Sequence, residues 1–233
     1  CTNAFFDDLA EDDEGRLHWA DENYVLVFNG DLVDRGPANE GVLELVERLV
    51  REAPPGRVRV TLGNHEALAL SADQFGFDEW YSGQVDDAAR RRLCEGIISG
   101  YVVAAYQGHT VTYAHAGADK PYDVTTANES LVAAAADLQE AIGTDADLAT
   151  QGRIVTDYPE VLGVGRNHLK GPEAGVVWLH FDHLSVDAPP QVVGHTHHRV
   201  SDQVWSMRCD RQDKVMMIRV HLVGMRPERL PEA

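Results

Sequence analysis

Two acidic residues and an arginine follow directly on an apolar segment near the start of the sequence. Residues 24–28 read YVLVF, and residues 29–37 continue as NGDLVDRGP. A surface turn needs glycine and one acid at most, but here Asp31 and Asp34 are three residues apart and Arg35 comes next. Two carboxylates and a guanidinium at the end of a strand suggest a site that holds cations and an anion together.

Three later apolar segments also end in polar residues beside glycine: GNHE at 63–66, HAG at 115–117 and GHTH at 194–197. In open α/β sheets, ligands bind beyond the carboxyl ends of the strands, and glycine lets backbone and ligand approach closely. Carboxylate, amide and imidazole groups form a mixed oxygen and nitrogen set that suits Mn, Fe, Co or Zn better than Ca or Mg. One histidine behind a strand is most often a structural residue, but four such endings in order favour a metal site.

The segments around the first two motifs alternate between strand and helix patterns. YVLVF is typical of a strand buried on both faces, and residues 40–52 predict an amphipathic helix with Asn39 as its N-cap. PPG at 54–56 ends this helix, and the alternating residues 57–62 predict a second strand. We therefore expect a βαβ unit with parallel strands.

The rest of the chain predicts further elements of one α/β domain over residues 1–233. Residues 3–10 have helical spacing, and the acidic run at 11–15 predicts a solvated turn. Residues 67–108 are expected to be mostly helical, and 128–149 to be an exposed helix and loop that form a cap or insertion. Strands are expected within 109–114, 175–181, 190–198 and 213–223.

The charge balance of the chain is strongly acidic. Asp and Glu number 38 against 20 Lys and Arg, a net charge of −18. This composition favours a protein adapted to a salt-rich cytoplasm, where salt screens the repulsion between carboxylates; an ordinary acidic protein is the alternative. Either way, DNA, RNA and anionic membranes are poor partners for such a surface.

The cysteines and the apolar segments indicate the cytoplasm as the compartment. Cys1, Cys94 and Cys209 form no CxxC pair and no disulfide framework, which favours a reducing environment. No apolar run approaches the ~18 residues of a membrane span, and the first residues lack the pattern of a signal peptide.

The motifs GDLVDRG, GNHE, HAG and GHTHH, in this order within residues 24–198, resemble those of the calcineurin-like metallophosphoesterases. GDLVDRG together with GNHE resembles in particular the serine/threonine phosphoprotein phosphatases and the diadenosine tetraphosphatases. The resemblance implies a β-sandwich flanked by helices, with a small cap and a centre of two divalent transition metal ions. Manganese is the first expectation for these ions, with iron, zinc and cobalt as alternatives.

The resemblance also implies roles for the residues of these motifs. Asp31 matches the carboxylate that bridges both metals, and His197 would belong to the first metal. The second metal would be completed by Asn64, His115 and His195. Two such cations activate a water for in-line attack on phosphorus.

Three more residues complete the implied catalytic machinery. His65 follows a metal ligand and would protonate the leaving oxygen, with Asp34 as the partner that orients its ring. Arg35 offers two parallel donors to the phosphoryl oxygens. Arg166 and Arg199 are candidates for further phosphate contacts, and His198 is ambiguous. The histidines that match no motif are expected in the core or on the surface: His18, His109, His168, His180, His183 and His221.

One motif of the family has no match in this sequence. The family begins with Asp-x-His-Gly behind its first strand, whereas Asp7 and Asp8 lie in a helix-like stretch. Residues 1–11 resemble the helix that follows this motif, so we expect the sequence to start just after it. The first metal site would then be incomplete within these residues.

The motifs leave three functions open. The first is a metal-dependent phosphatase whose partners are phosphoproteins, and the second is a hydrolase of dinucleoside polyphosphates or other diesters. The third is a non-catalytic scaffold of the same fold, although retention of Asn64, His65 and the GHTH histidines argues against it. Substrate choice is expected to depend on residues 67–108 and 118–175.

Overall fold

The computed structural model describes residues 9–20, 25–108, 111–167, 169–184, 188–196 and the backbone of 215–218. The strands of this part are β1 (Leu9–Glu11), β2 (Leu17–Trp19), β3 (Val25–Phe28), β4 (Val58–Thr61), β5 (Val102–Val103), β6 (Ala105–Gln107), β7 (Thr112–Ala114), β8 (Gln191–Val192) and β9 (Val215–Ile218). Its α-helices are α1 (Asn39–Glu52), α2 (Asn64–Leu70), α3 (Ala72–Phe75), α4 (Tyr81–Gln84), α5 (Asp87–Ile98), α6 (Val124–Ala141), α7 (Asp147–Asp157) and α8 (Pro159–Leu162).

A parallel four-stranded sheet with the order β5-β4-β3-β9 contains the predicted βαβ unit. β3 and β4 are parallel, with Leu26 opposite Val58 and Phe28 opposite Val60, and α1 connects them. This confirms the βαβ prediction, but Asn39 is not the N-cap that we expected. It is the first helical residue, and its side-chain oxygen accepts the backbone N–H of Asp34 at 2.8 Å.

A second sheet packs against the first one. β7 pairs antiparallel with β6 and parallel with β8. Alternation along β3 divides its side chains between two cores, because successive strand residues point to opposite faces. Val27 contacts Tyr113 and Val192 of the second sheet, whereas Leu26 and Phe28 join the larger core with the helices. The fold is therefore the expected α/β architecture of two packed sheets flanked by helices.

The prediction that the helix within 128–149 is exposed is wrong, because one face of α6 is buried. Residues along one face of α6, among them Leu131, Ala135 and Leu138, are fully buried and belong to the larger core. The alanine-rich composition concealed this face, because alanine is frequent both on exposed helices and in tight helix packing.

The predicted strand at 175–181 is also wrong. Residues 176–178 form a turn, and a 3₁₀-helix at Phe181–His183 follows. Their backbone instead binds the α8 region, where Val176 N–H donates to Glu160 O at 3.1 Å. The side chains of residues 176–179 are nonetheless buried, which explains why the apolar run resembled a strand.

The N-terminal described residues correct one expectation and confirm another. Leu9–Glu11 is a strand paired with Leu17–Trp19, so the helical spacing of 3–10 does not continue to its end. The acidic run forms the turn between the two strands, where Gly15 has a φ of +76°. The predicted helices of 67–108 end at Ile98, because β5 and β6 follow. Within the described residues, no helix has the length and apolar content to cross a membrane.

Candidate metal centre

The polar strand endings predicted from the sequence converge at one edge of the two sheets. Asp31 follows β3, Asn64 begins α2 directly after β4, and His115 and His195 follow β7 and β8. The donor atoms of Asp31, His115 and His195 all lie within 4.8 Å of one another. The side-chain oxygen of Asn64 lies 2.8 Å from His195 Nδ1 and 3.2 Å from His115 Nε2. These four residues, called the metal cluster below, are those that the sequence predicted for the second metal.

The hydrogen bonding of the metal cluster fits a cation. Nδ1 of His115 lies 2.7 Å from the carbonyl oxygen of Asn29, which can only accept, so this nitrogen carries the proton. Nε2 of the neutral ring then presents a lone pair, yet it lies 3.3 Å from a carboxylate oxygen of Asp31 and 3.2 Å from the amide oxygen of Asn64. Acceptor atoms that face one another at these distances need a positive charge between them.

Burial keeps both imidazoles of the metal cluster neutral. Burial is the main cause that lowers the pKa of His115, which is 1% exposed. Burial is also the main cause that lowers the pKa of His195 to about 2, and the charge of Lys170 acts in the same direction. His195 Nε2 is buried and has no partner among the described residues. Neutral imidazole is the form that binds a metal, so these rings are ready to act as ligands.

The backbone at the metal cluster is strained. Asp31, Asp34, Arg35 and His195 have φ values of 55°, 67°, 55° and 63°, in the left-handed region that residues with a side chain rarely adopt. Each such residue costs on the order of 1–3 kcal/mol, and such strain concentrates at functional sites. Gly30 precedes them with a φ of 74°, and a Cβ there would lie 2.7 Å from His115 Nδ1. Only glycine allows this close approach.

Glu66, to which the sequence analysis assigned no role, holds the strained turn in place. One of its carboxylate oxygens accepts the N–H groups of Asp31 and Gly63, both at 2.9 Å. The other accepts those of Leu32 at 2.6 Å and Val33 at 3.3 Å. Glu66 is 3% exposed, so its charge is stabilised by these four donors. Its position at the end of the GNHE motif is the sequence signal from which a role for Glu66 could have been predicted.

His65 and Asp34 form a buried pair beside the metal cluster. His65 Nδ1 lies 2.6 Å from a carboxylate oxygen of Asp34, and the side chains are 2% and 0% exposed. The Asp34 carboxylate also accepts the N–H and the hydroxyl of Ser82, at 2.9 and 2.6 Å. His65 Nε2 points towards Asp31, 4.0 Å from its second carboxylate oxygen. The structure thus places His65 and Asp34 together as predicted, and it adds Ser82.

Arg35 lies at the exposed side of this pair. Its guanidinium is 5.6 Å from the ring centroid of Trp80, and the same ring lies 5.0 Å from that of His65. Trp80 therefore supports the histidine and the arginine at once. Beyond it, Phe77 contacts Trp80 at 4.7 Å and lines an apolar pocket of about 210 Å³ beside α2. Neither Ser82 nor Trp80 carried a sequence signal.

The remaining candidates are divided between described and undescribed parts of the chain. The predicted residues that lie outside the described residues are His197, His198, Arg199, His109, His168 and His221. Arg166 is exposed and pairs with Glu173. His18 contacts Asp12 and Glu52 at the surface. Within the described residues, the metal cluster holds the one group of three or more His, Cys, Asp or Glu side chains that could bind a metal.

Comparison with known proteins agrees with this geometry. The family model described as calcineurin-like phosphoesterase matches residues 2–199, which is most of the chain. Neither a curated protein nor a solved structure matches. The match spans all four motifs and the residues that form the metal cluster. This chain therefore belongs to the calcineurin-like phosphoesterase family.

Proposed function

We propose that this protein is a phosphatase that hydrolyses phosphate monoesters of phosphoproteins. Membership of the family indicates metal-dependent hydrolysis of a phosphate ester, and the narrower substrate class is our proposal. The observation that carries it is the buried His65–Asp34 pair, 2.6 Å apart, beside a cluster of metal donors. Such a pair supplies a proton to a poor leaving group, as an alkoxide leaving from phosphoserine requires.

The residues of the chain have distinct parts in this reaction. Asp31, Asn64, His115 and His195 would hold the ion, which supplies charge neutralisation and activates water. Because His65 Nδ1 is bonded to Asp34, the proton for the leaving oxygen comes from Nε2. Arg35 would bind non-bridging oxygens of the phosphoryl group.

Comparison of wild type with His65→Asn tests this function. In the presence of Mn²⁺, we expect hydrolysis of p-nitrophenyl phosphate and of a phosphoserine peptide. The variant should lose about 10²–10⁴-fold in turnover of the peptide and less with p-nitrophenyl phosphate, whose leaving group needs little protonation. His18→Asn, which changes a surface histidine, is the matched control.

Other outcomes of this experiment would favour the other functions. Hydrolysis of diadenosine tetraphosphate without hydrolysis of the phosphopeptide would indicate a nucleotide hydrolase. No hydrolysis of any ester by a metal-loaded, folded protein would indicate a scaffold. Loss of metal from His65→Asn in parallel with activity would show that His65 is a ligand.

We further propose that the bound ion is manganese. The metal cluster offers oxygen and nitrogen donors, which suit Mn, Fe, Zn or Co. Fe, Zn and Co are the alternatives to manganese. His195→Ala removes one of four donors, so it should release the ion from this cluster, whereas His18→Ala should not. Metal analysis after dialysis measures both, and retention of the ion by His195→Ala would refute the assignment.

We also propose that the protein acts in a salt-rich cytoplasm and binds neither nucleic acid nor membranes. The net charge of −18 supports this, because it repels polyanions and is best tolerated in concentrated salt. Gel-shift and vesicle-binding assays at low salt test the absence of these partners, and binding in either assay would contradict it.

A further inference from the structure

Ser82 donates two hydrogen bonds to the carboxylate that holds His65. Its hydroxyl donates to Asp34 Oδ2 at 2.6 Å, and its backbone N–H donates to Asp34 Oδ1 at 2.9 Å. Asp34 Oδ2 is also the oxygen that lies 2.6 Å from His65 Nδ1. Hydrogen bonds to an ionised carboxylate are short and strong, and this carboxylate is bonded to Ser82 at both oxygens. It therefore cannot rotate without breaking one of these bonds.

The surroundings of Asp34 leave the hydroxyl of Ser82 without a substitute. The side chains of Asp34 and Ser82 are fully buried, so solvent does not reach the carboxylate in the folded protein. The backbone of Asp34 is fixed separately, because its N–H donates to Asn39 Oδ1 at 2.8 Å. The orientation of the carboxylate thus depends on Ser82, whereas the position of the Asp34 backbone does not.

Ser82 is itself held in place by contacts that do not involve Asp34. It lies in the short helix α4, where the hydroxyl of Tyr81 donates to a carboxylate oxygen of Glu40 in α1 at 2.6 Å. Gly83 packs against the backbone of the preceding turn, since a Cβ there would lie 2.2 Å from Phe77 O. The fold therefore presents the Ser82 hydroxyl to Asp34 from a fixed position.

We propose that Ser82 is a positioning residue, which acts through Asp34 to aim the ring of His65 at the oxygen that leaves phosphorus. This inference rests on the proposed phosphatase function. His65 Nδ1 is bonded to Asp34, so Nε2 is the nitrogen that faces the metal cluster, 4.0 Å from a carboxylate oxygen of Asp31. When the carboxylate is free to turn, the ring loses the partner that fixes this direction.

The first experiment compares Ser82→Ala with wild type on two aryl phosphates in the presence of Mn²⁺. Phenyl phosphate and p-nitrophenyl phosphate carry the same phosphoryl group, but phenolate is the poorer leaving group and depends more on protonation. Misplacement of a catalytic group by about 1 Å costs up to ~10²-fold in rate. We therefore expect kcat on phenyl phosphate to fall about ten- to a hundredfold. The fall on p-nitrophenyl phosphate should be smaller, and KM and metal content should stay as in wild type.

Ser99→Ala is the matched control. It removes a serine hydroxyl that donates to Gly96 O at 3.1 Å. Ser99 precedes β5, which is parallel to β4, so it lies at the sheet edge opposite to the metal cluster. Ser99→Ala should leave kcat unchanged on both substrates.

A double variant separates a positioning role from a structural one. Because Ser82 acts through His65, Ser82→Ala should change kcat by less than about twofold when His65 is already replaced by Asn. Losses that multiply in the double variant would overturn the inference. So would equal losses on the two substrates, or an unchanged kcat of Ser82→Ala on phenyl phosphate.

Proton NMR of the Zn²⁺-loaded protein provides a readout that needs no catalysis, since Zn²⁺ is diamagnetic. The Nδ1 proton of His65, in a short bond to a buried carboxylate, should give a resonance downfield of the amide region that is absent from His65→Asn. Ser82→Ala should shift or broaden this resonance, and Ser99→Ala should not. If no ester is hydrolysed, the proposed function fails separately. The resonance then decides the inference, and an unchanged resonance in Ser82→Ala would overturn it.

Discussion

Replacement of Glu66 by glutamine tests whether one buried carboxylate holds the metal-binding turn. In the wild type, four backbone N–H groups donate to its two oxygens, two to each. Glutamine has nearly the same shape but only one acceptor oxygen, and its amide nitrogen would face two of the donors. Glu66→Gln therefore leaves two N–H groups of the strained turn without an acceptor.

The loss of stability follows from these two groups. A buried donor that loses its acceptor costs about 1–3 kcal/mol, so two cost about 2–6 kcal/mol. Burial and the charge of Asp31 raise the pKa of Glu66 to about 7, so the buried negative charge is itself unfavourable. Glutamine removes this charge, which offsets part of the cost. We therefore expect a loss of stability in the lower half of the range. Even the lower half is a large share of the ~5–15 kcal/mol that stabilises a typical domain.

Urea denaturation and calorimetric titration with Mn²⁺ measure the two expected effects. The free energy of unfolding should fall by the amount above, and Mn²⁺ affinity should fall because Asp31 loses the bond that fixes its backbone. Glu44→Gln, which changes an exposed glutamate of α1, should stay within about 0.5 kcal/mol of wild type. A Glu66→Gln protein with wild-type stability and wild-type Mn²⁺ affinity would refute this account of the turn.

Three further predictions concern stability. Gly30→Ala would place a Cβ 2.6 Å from Gly63 Cα in a backbone with a φ of 74°, so it should abolish Mn²⁺ binding and lower the melting temperature. Its control is Gly41→Ala, which has open space around it and should stabilise helix α1 by up to about 1 kcal/mol. Hydrogen bonds from the buried Arg90 hold the pKa of Asp147 well below its ordinary value, so this pair stabilises the fold above pH ~4 and the contribution is lost as the pH falls below that value. Asp147→Asn should therefore be less stable than wild type at pH 7 and lose less stability between pH 6 and pH 3, and parallel pH profiles would contradict the argument. Finally, molar KCl should raise the melting temperature by screening the net charge of −18, and a flat or falling melting temperature would count against salt adaptation.

The sequence was sufficient to predict that the residues of the metal cluster lie together, because each strand ending is encoded locally. Their role as metal ligands stays a prediction. Asp31 lies next to the glycine that permits its turn, and Asn64 and His65 begin the helix that follows a strand. Parallel strands bring such endings to one edge of a sheet, which accounts for the pairing of Asp31 with Asn64 and of His115 with His195. That the two pairs meet depends on how the two sheets pack together. Single-domain organisation over residues 1–233 and the role of His197 stay predictions.

Tertiary structure alone decided which other residues complete the centre. Ser82 and Asp34 are 48 residues apart, and no local pattern marks Trp80 as a neighbour of His65 and Arg35. The same holds for the apolar run at 175–181, where composition predicted burial but not that its backbone would bond to α8 and to Ala116 and Gly117 after β7. A short motif determines the donors and the turn that it contains. Contacts across many residues depend on how helices and loops pack against the sheet, and that is a property of the whole core.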